Sequence, residues 1–456
     1  MQNRILDLTL RRGRAVEEGG ARSPLRASLS VADLISERAY RSPGRLAFSD
    51  GVDGRELRYG ELGSLAARWW ALLVAAGIGD GRRVALQVAD PLSFASSYLG
   101  LLAAGVTVVP LDAGMSPGRL ASLLELLEVE LLVSDLRPAS DGAVPVWRLD
   151  GELGELREVR GRLRLRPFAV VPQPALLLVG ADRDRLSRAI PLAEGQLLYV
   201  ARQVVHHHRL QSWDRGYSPL PPSDINSQVA ALLATLLSGG SLVLDRHFRP
   251  GDFWSIADSN GVTWIDATPG MLAVLADQRP PEERTAGRVR FARTASAPVP
   301  VGVLERFQAH SGVSVLETYG LPEAASQVTA NPLQRGGRRA ASVGLPVGVQ
   351  LRVVDVQREE SAPGRDGSIE IRGPSVISHY LDLELGRYHR ARAADGWLVT
   401  GTRGHLDEDG FLYLTSPAPA VGGRRAAAHG HDPVAVGGSS LNRSADSPIL
   451  VRKVAS

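Results

Sequence analysis

The stretch ELGSLAARWWALLVAAGIGDGRRVALQVADPLSFASSYLGLLAAGVTVVPLD, Glu61 to Asp112, decides the fold class. Leu62, Leu65, Ala66, Trp69 and Leu73 recur at helical spacing, and the pattern stops at Gly77. RVALQVAD, from Arg83, is then short, apolar and β-prone, and reads as a strand. SFASSYLGLLAAG from Ser93 predicts a helix and VTVVPLD from Val106 a strand. RLASLLELLEVE from Arg119 predicts the next helix and LLVSD from Leu131 the next strand. Strands that alternate with helices of this length belong to a mostly parallel, doubly wound sheet.

The alternation resumes downstream. EGQLLYVARQVV (from Glu194), AALLATLLSGG (from Ala230), DFWSIADSNG (from Asp252) and PVGVLERFQAHSG (from Pro300) predict helices. SLVLD (from Ser241), VTWIDA (from Val262) and VSVLETYG (from Val313) predict strands. After residue 335 the period becomes that of strands with Gly turns, in SVGLPVGVQLRVVD, GSIEIRG and HLDEDGFLYLT. The expected fold class is α/β: two similar doubly wound layers plus a small β-rich subdomain. The expected organisation is a flexible tail over 1–28, α/β subdomains over 29–165 and 166–335, a β-rich subdomain over 336–415, and a low-complexity tail over 416–456.

Composition narrows the function classes. The 456 residues are 44% hydrophobic and 22% charged, as in globular proteins, and contain no cysteine. Disulfides, thiol nucleophiles and thiolate metal sites are therefore excluded. No run approaches the roughly 18 apolar residues of a membrane span, and the N-terminus lacks a signal-peptide core. These features lead to the expectation of a cytoplasmic protein. The net charge of +3 is spread among acids, with no basic stripe or interleaved aromatics, so nucleic acid is not an expected partner. Arginine supplies every basic side chain except Lys453, so no lysine of a folded domain is available for chemistry.

LETYGLPEAASQVTANP (Leu316 to Pro332) and DGWLVTGTRGHLDEDGFLYL (Asp395 to Leu414) resemble two signature segments of the adenylate-forming superfamily. That superfamily contains acyl-CoA and aryl-CoA ligases and the adenylation domains of peptide synthetases. The resemblance extends in order over about residues 29–415 and implies the fold of their large N-terminal domain. Such enzymes join a carboxylate to AMP from ATP and then pass the acyl group to a thiol. The resemblance also implies four tools: a Gly/Ser/Thr loop with a Lys for the triphosphate, a Thr-Glu pair for Mg²⁺, an Asp for the ribose, and a C-terminal lid of roughly 100 residues.

Each tool is altered. The phosphate loop falls on LLVGADRDRLSRAIPLAEGQL (Leu177 to Leu197), where Asp182 and Arg185 replace central glycines and Arg188 takes the place of the Lys. Backbone amides wrap a phosphate only where side chains allow close approach, and Asp182 and Asp184 repel a triphosphate. Arg183, Arg185 and Arg188 offer the opposite reading, guanidinium forks on phosphate. A salt-bridged surface turn is the reading adopted. Pro322 stands for the metal-pair Thr, Thr402 for the ribose Asp and Pro417 for a hinge Arg, and the tail 416–456 stands where the lid belongs. Glu323 and Tyr319 remain, the latter implied by the resemblance to stack on adenine.

The acyl pocket implied by the resemblance draws on PLPPSDINSQVAALL, TASAPVP and ETYG. Ser223 and Asp224 fall where relatives carry an aromatic-His pair. Asp224 is the candidate catalytic acid/base, with helix capping as its alternative. Asn226, Thr294, Ser296, Thr318, Tyr319, Gly320 and Glu323 are candidate substrate-binding residues. No cofactor and no metal are assigned. His206 to His208 are consecutive, so they cannot share an ion on a helix, and they read as solvated surface. The expected function is an acyl-CoA ligase-like protein that has lost ATP-dependent adenylation. It would bind an acyl, aryl or polyketide-type small molecule, free or carrier-bound. It would also act on it by cyclisation, dehydration or acyl transfer in a bacterial natural-product pathway. The alternatives are a non-catalytic scaffold for a protein partner and a weakly active AMP-forming ligase.

Overall fold

The computed structural model describes residues 30–136, 144–149, 156–160, 173–179, 188–278, 288–295 and 299–415. The expected tails and the loop 180–187 lie outside these residues. The chain enters helix α1 (Val31–Arg41) through a capping box, with Asp33 N donating to Ser30 Oγ at 3.1 Å and Ser30 N to Asp33 Oδ2 at 2.9 Å. Strands β1 (Leu46–Asp50) and β2 (Glu56–Arg58) form a hairpin before α2 (Tyr59–Ala75). Next come β3 (Arg83–Gln87), α3 (Pro91–Ala103), β4 (Thr107–Pro110), α4 (Pro117–Leu126) and β5 (Leu131–Ser134), as periodicity predicts. Asp90 caps α3 by accepting from Ser93 N at 2.8 Å, and Pro91 fills the first helical turn, where its missing N–H costs nothing.

Strands β6 (Val146–Leu149), β7 (Leu156–Arg160), β8 (Leu176–Val179) and β9 (Arg188–Leu192) precede α5 (Glu194–His207). Then follow β10 (Arg215–Ser218), a π-helix (Ser227–Leu233) running into α6 (Ala234–Ser238), β11 (Ser241–Leu244) and α7 (Phe253–Ser259). After these come β12 (Trp264–Ala267), α8 (Pro269–Leu275), β13 (Phe291–Thr294), α9 (Val301–Ser311), β14 (Val315–Leu321) and β15 (Ser326–Ala330). The remaining strands are β16 (Leu345–Pro346), β17 (Gln350–Val354), β18 (Gly367–Arg372), β19 (His379–Asp382), β20 (Arg387–Arg390), β21 (Leu398–Leu406) and β22 (Leu412–Leu414).

One nine-stranded sheet runs β20-β19-β9-β8-β4-β3-β5-β6-β7, a second runs β16-β15-β14-β13-β12-β10-β11-β1-β2, and β17-β18-β21-β22 form a small third sheet. The α/β class with two wound layers and a β-rich subdomain is therefore as predicted. The sheets do not divide at residues 165 and 335, however. β1 runs parallel to β11 through Phe48↔Leu242 and so joins the second sheet, whereas β8 runs parallel to β4 in the first. β19 extends the first sheet antiparallel to β9. Periodicity identifies a strand but not its partner, because pairing depends on contacts remote in sequence.

A single apolar core joins the facing sides of the two large sheets. Val84, Leu86 and Val108 reach it from the first sheet, and Phe48, Leu242, Trp264 and Phe291 from the second. Helices α2, α3, α5 and the π-helix fill the space between. α3 is buried over nearly its whole length, which explains its unbroken apolar and small residues. The outer faces carry α4 on the first sheet and α7, α8 and α9 on the second. Among the described residues no helix is long and apolar enough to cross a membrane.

The inner face of β10 is packed to its limit at Gly216. A Cβ there would sit 2.3 Å from Trp264 Cζ2, and Trp264 is buried. Gly216→Ala is expected to lower stability by about 2 kcal/mol through overpacking, read as a lower urea midpoint with an unchanged slope. An unchanged midpoint would contradict this packing.

Candidate functional site

The carboxyl ends of β12, β13 and β14 meet the start of the π-helix, the usual ligand edge of a wound sheet. Asp266 ends the inward row of β12, and Arg293 that of β13. Their side chains pair at 2.8 Å, and both residues are fully buried. Arg293 Nη1 also donates to Asn226 Oδ1 at 3.0 Å, and Arg293 Nη2 to Thr318 Oγ1 at 3.4 Å. Thr318 Oγ1 donates to the Thr294 carbonyl at 2.8 Å, and Ser326 Oγ to Asn226 Oδ1 at 3.2 Å. Asn226 Nδ2 donates to Asp266 Oδ2 at 3.4 Å. Burial pushes the Asp266 carboxyl up, against the Arg293 charge that pulls it down.

Asp224 opens this cluster to solvent. Its Oδ1 accepts from Asn226 N at 2.7 Å, a turn that starts the helical segment, so the capping role is present. The residue is exposed, yet surrounding protein raises its carboxyl above the usual range, against the Asn226 and Ser227 N–H groups and Arg293. Helix capping and a raised carboxyl thus coexist at Asp224.

Of the predicted residues, Asp224, Asn226, Thr294 and Thr318 come together here. Ser296 lies outside the described residues. Tyr319, Gly320 and Glu323 face elsewhere. The Tyr319 ring is buried among Val328, Ile371 and Leu398 of the β-rich core, and its hydroxyl lies 3.0 Å from Thr402 Oγ1. Gly320 permits the tight β14–β15 turn, since a Cβ would meet Ser326 O at 2.1 Å. Glu323 Oε1 accepts from Tyr380 Oη at 3.2 Å, and the Arg188 guanidinium lies 5.9 Å from the centroid of the Tyr380 ring. Burial raises the Glu323 carboxyl.

Sequence reasoning did not assign Asp266, Arg293 or a role for Glu317. An ion-pairable residue inside VTWIDA and another inside FARTA were the available signals. Glu317 is buried beside Thr294 across the β13–β14 pairing and accepts from Val299 N at 3.3 Å. Burial pushes its carboxyl up to about 7. His208 corrects the reading of a solvated histidine run. It is fully buried and edge-on to Phe291 at 5.4 Å, with its Nδ1 3.1 Å from that of His207. The last turn of α5 dips into the core there, and burial holds His208 well below the usual imidazole range. Among the described residues no three potential metal ligands converge.

A family model described as AMP-binding enzyme matches residues 35–171 and 188–381, skipping the segment that holds Asp182 to Arg185. The sulfoacetate–CoA ligase of Cupriavidus necator is 30% identical over 402 residues, covering 85% of this chain and 78% of the relative. The oxalate–CoA ligase of Arabidopsis thaliana is 27% identical over 406 residues, covering 84% and 78%. The crystal structure of ATP-bound MatB from Rhodopseudomonas palustris superposes with a TM-score of 0.73 at 24% identity, covering 85% of this chain and 78% of that one. This last similarity establishes the fold.

Glu317, on the face of β14 opposite Thr318, gives a pH test of its own burial. Its folded pKa of about 7 exceeds the ordinary 4.5, so it contributes no penalty below pH 4.5. As pH rises from 4.5 through 7 the unfolded chain loses this proton first, and stability falls by about 3 kcal/mol. Glu317→Gln is expected to remove that loss, so urea unfolding at pH 5 and pH 8 should show a smaller difference in the variant. Equal differences would place Glu317 in a solvated setting.

Proposed function

This chain belongs to the AMP-binding enzyme family, and from that premise we propose an acyl-CoA ligase-like protein that uses its acyl site without ATP. The observation that carries the reading is the contact between Tyr319 Oη and Thr402 Oγ1 at 3.0 Å. The resemblance assigns these two positions to adenine stacking and ribose binding. Here they meet each other, and the ring lies in the core of the β-rich sheet. A threonine hydroxyl also lacks the two charged acceptors with which a carboxylate holds a ribose diol. Pro322 supplies no hydroxyl for Mg²⁺, and in sequence Asp182 and Asp184 fall within the segment that the resemblance assigns to the phosphate loop.

On the acyl side Asp224 and Asn226 line one wall. The Asp224 carboxyl, raised by burial, is the proposed proton-transfer group, and Asn226 offers an amide to a ligand oxygen. The ligand class is an acyl, aryl or polyketide-type compound, free or on a carrier protein. The step is a cyclisation, dehydration or acyl transfer in a bacterial natural-product pathway of the cytoplasm. A second reading, a weakly active AMP-forming ligase, draws support from Glu323 and from the Arg188 guanidinium that Tyr380 links to it.

Calorimetry of the full chain with ATP·Mg²⁺ is expected to show no saturable binding up to millimolar nucleotide. Pyrophosphate release with a panel of carboxylic acids should stay at background, and release with any acid would establish the ligase instead. Asp224→Asn is expected to lower turnover of a carrier-bound acyl substrate by about a hundredfold, with an unchanged melting temperature. Undiminished turnover would confine Asp224 to capping.

A further inference from the structure

At the start of β10 a half-buried arginine carries a charge that no acid beside it balances. Arg215 Nε donates to Ser241 Oγ at 3.0 Å, and Nη1 donates to the Asn260 carbonyl at 2.7 Å, capping the end of α7. Its Nη2 makes no hydrogen bond to the described residues and is not among the buried polar atoms left without a partner, so it is open to solvent. Among the described residues no carboxylate pairs with Arg215. Glu56 is near enough to act on its charge but is itself paired with Arg58. Burial holds the Arg215 guanidinium below the usual arginine range, against the pull of Glu56. Arg45 is exposed, and its Nη2 donates to the Ser212 carbonyl. It too has no carboxylate partner among the described residues.

The anchors of both side chains, Ser212, Ser241 and Asn260, line one surface pocket of about 290 Å³, so both guanidinium groups are fixed on its wall. Trp213 lines the same pocket and is 72% exposed, and no acidic residue lines it. β1, β10, β11, β12 and β13 run parallel, and the pocket sits at the amino ends of β1, β10 and β11. It is therefore on the sheet edge opposite the Asp266–Arg293 cluster, and nothing in its reading depends on the acyl ligand. Two guanidinium groups without acids attract an anion, and they hold carboxylate or phosphate oxygens by charge-assisted hydrogen bonds. The exposed indole supplies a flat apolar surface for a ring joined to that anion. A volume of about 290 Å³ lies at the small end for ligand pockets, and suits one ring with its anionic group rather than a nucleoside triphosphate. We propose that this pocket is a second ligand site, for a compact aromatic oxyanion, a single ring bearing a carboxylate or a phosphate, held by Arg45 and Arg215 with its ring against Trp213.

The test titrates benzoate, phenyl phosphate, benzamide and acetate into the full chain by calorimetry. Benzoate and phenyl phosphate are expected to saturate one site. Benzamide, which has the ring without the charge, and acetate, which has the charge without the ring, should bind about tenfold or more weakly. Tighter binding of benzoate assigns a carboxylate as the ligand and tighter binding of phenyl phosphate a phosphate ester, and either order supports the site. Arg45→Gln, at an exposed position, should weaken both aryl anions about tenfold. Trp213→Ala should weaken them and leave acetate unchanged. Arg215→Gln should weaken them further, and the Arg45 and Trp213 variants carry the test even if the Arg215 variant does not fold. Arg306→Gln removes an exposed arginine of α9 and is expected to change nothing. Equal weakening by Arg306→Gln would show attraction by overall charge and overturn the site. Equal binding of benzamide overturns the role of the arginines. Absence of saturable binding by either aryl anion overturns the proposal, as does binding that Arg45→Gln and Trp213→Ala leave intact, since such binding lies elsewhere on the protein.

Discussion

Arg293 and Asp266 place two opposite charges in a fully buried position between two sheets. Removing an ion from water costs several kcal/mol, and the attraction of the pair offsets this only when the remaining donors and acceptors are also engaged. Here they largely are. One guanidinium nitrogen serves Asp266 and Asn226, another reaches Thr318, and the second Asp266 oxygen takes the Asn226 amide. Loss of one partner would leave an uncompensated buried charge, an effect of about 3–5 kcal/mol. The pair therefore sets which way the side chain of Asn226, the residue before the π-helix, faces. A π turn holds more residues than an α turn, and such turns occur frequently at functional sites.

The same constraint reaches the other half of the crevice through β14. Successive strand residues point to opposite faces. Thr318 therefore turns inward to Arg293 while Tyr319, the next residue, enters the β-rich core and meets Thr402. The residues that the resemblance assigns to acyl binding and to adenine stacking are thus one peptide apart. The turn after β14 holds Ala325 at φ 59° and Ser326 at φ 108°, left-handed conformations that are unfavourable for non-glycine residues. Strain of about 1–3 kcal/mol each persists only where surroundings over-determine it. The Ser326 hydroxyl bonded to Asn226, and the closeness that only Gly320 allows, supply that determination.

Much of the fold was legible because helices and strands bury one face or two with a fixed period. The segments around α3, α4, α5 and β12 fall within a few residues of their predicted places. What periodicity could not convey was partnership. The strand LAFSD gives no local sign that it pairs with β11, nearly two hundred residues on. The helix predicted from Ala230 is π-wound from Ser227, and nothing in its composition distinguishes that winding. Motif order makes Asp224, Asn226 and Thr318 candidates, and the structure sets them around Arg293. Arg293 and Asp266 were passed over, since a charged residue in a short strand ordinarily reads as its solvated side. His208 escaped for the converse reason, because three consecutive histidines look polar even where the helix end turns one of them into the core.

Membership of a family fixes the scaffold, while activity resides in the groups at the site. For a nucleotide to use Tyr319 as a stacking surface, the ring must leave Val328, Ile371 and Leu398 and give up its contact with Thr402. Withdrawing an aromatic side chain from apolar surroundings costs about 1.5–3 kcal/mol. An adenine stacked on the ring would return part of that, but the usual charged acceptor for the ribose is a neutral threonine here. The acyl side carries no such obstacle. The Asn226 amide is oriented by the buried ion pair, and the Asp224 carboxyl beside it is exposed. On the proposed reading, nucleotide binding is therefore opposed at Tyr319 and Thr402, while the groups assigned to the acyl side need no nucleotide to be oriented.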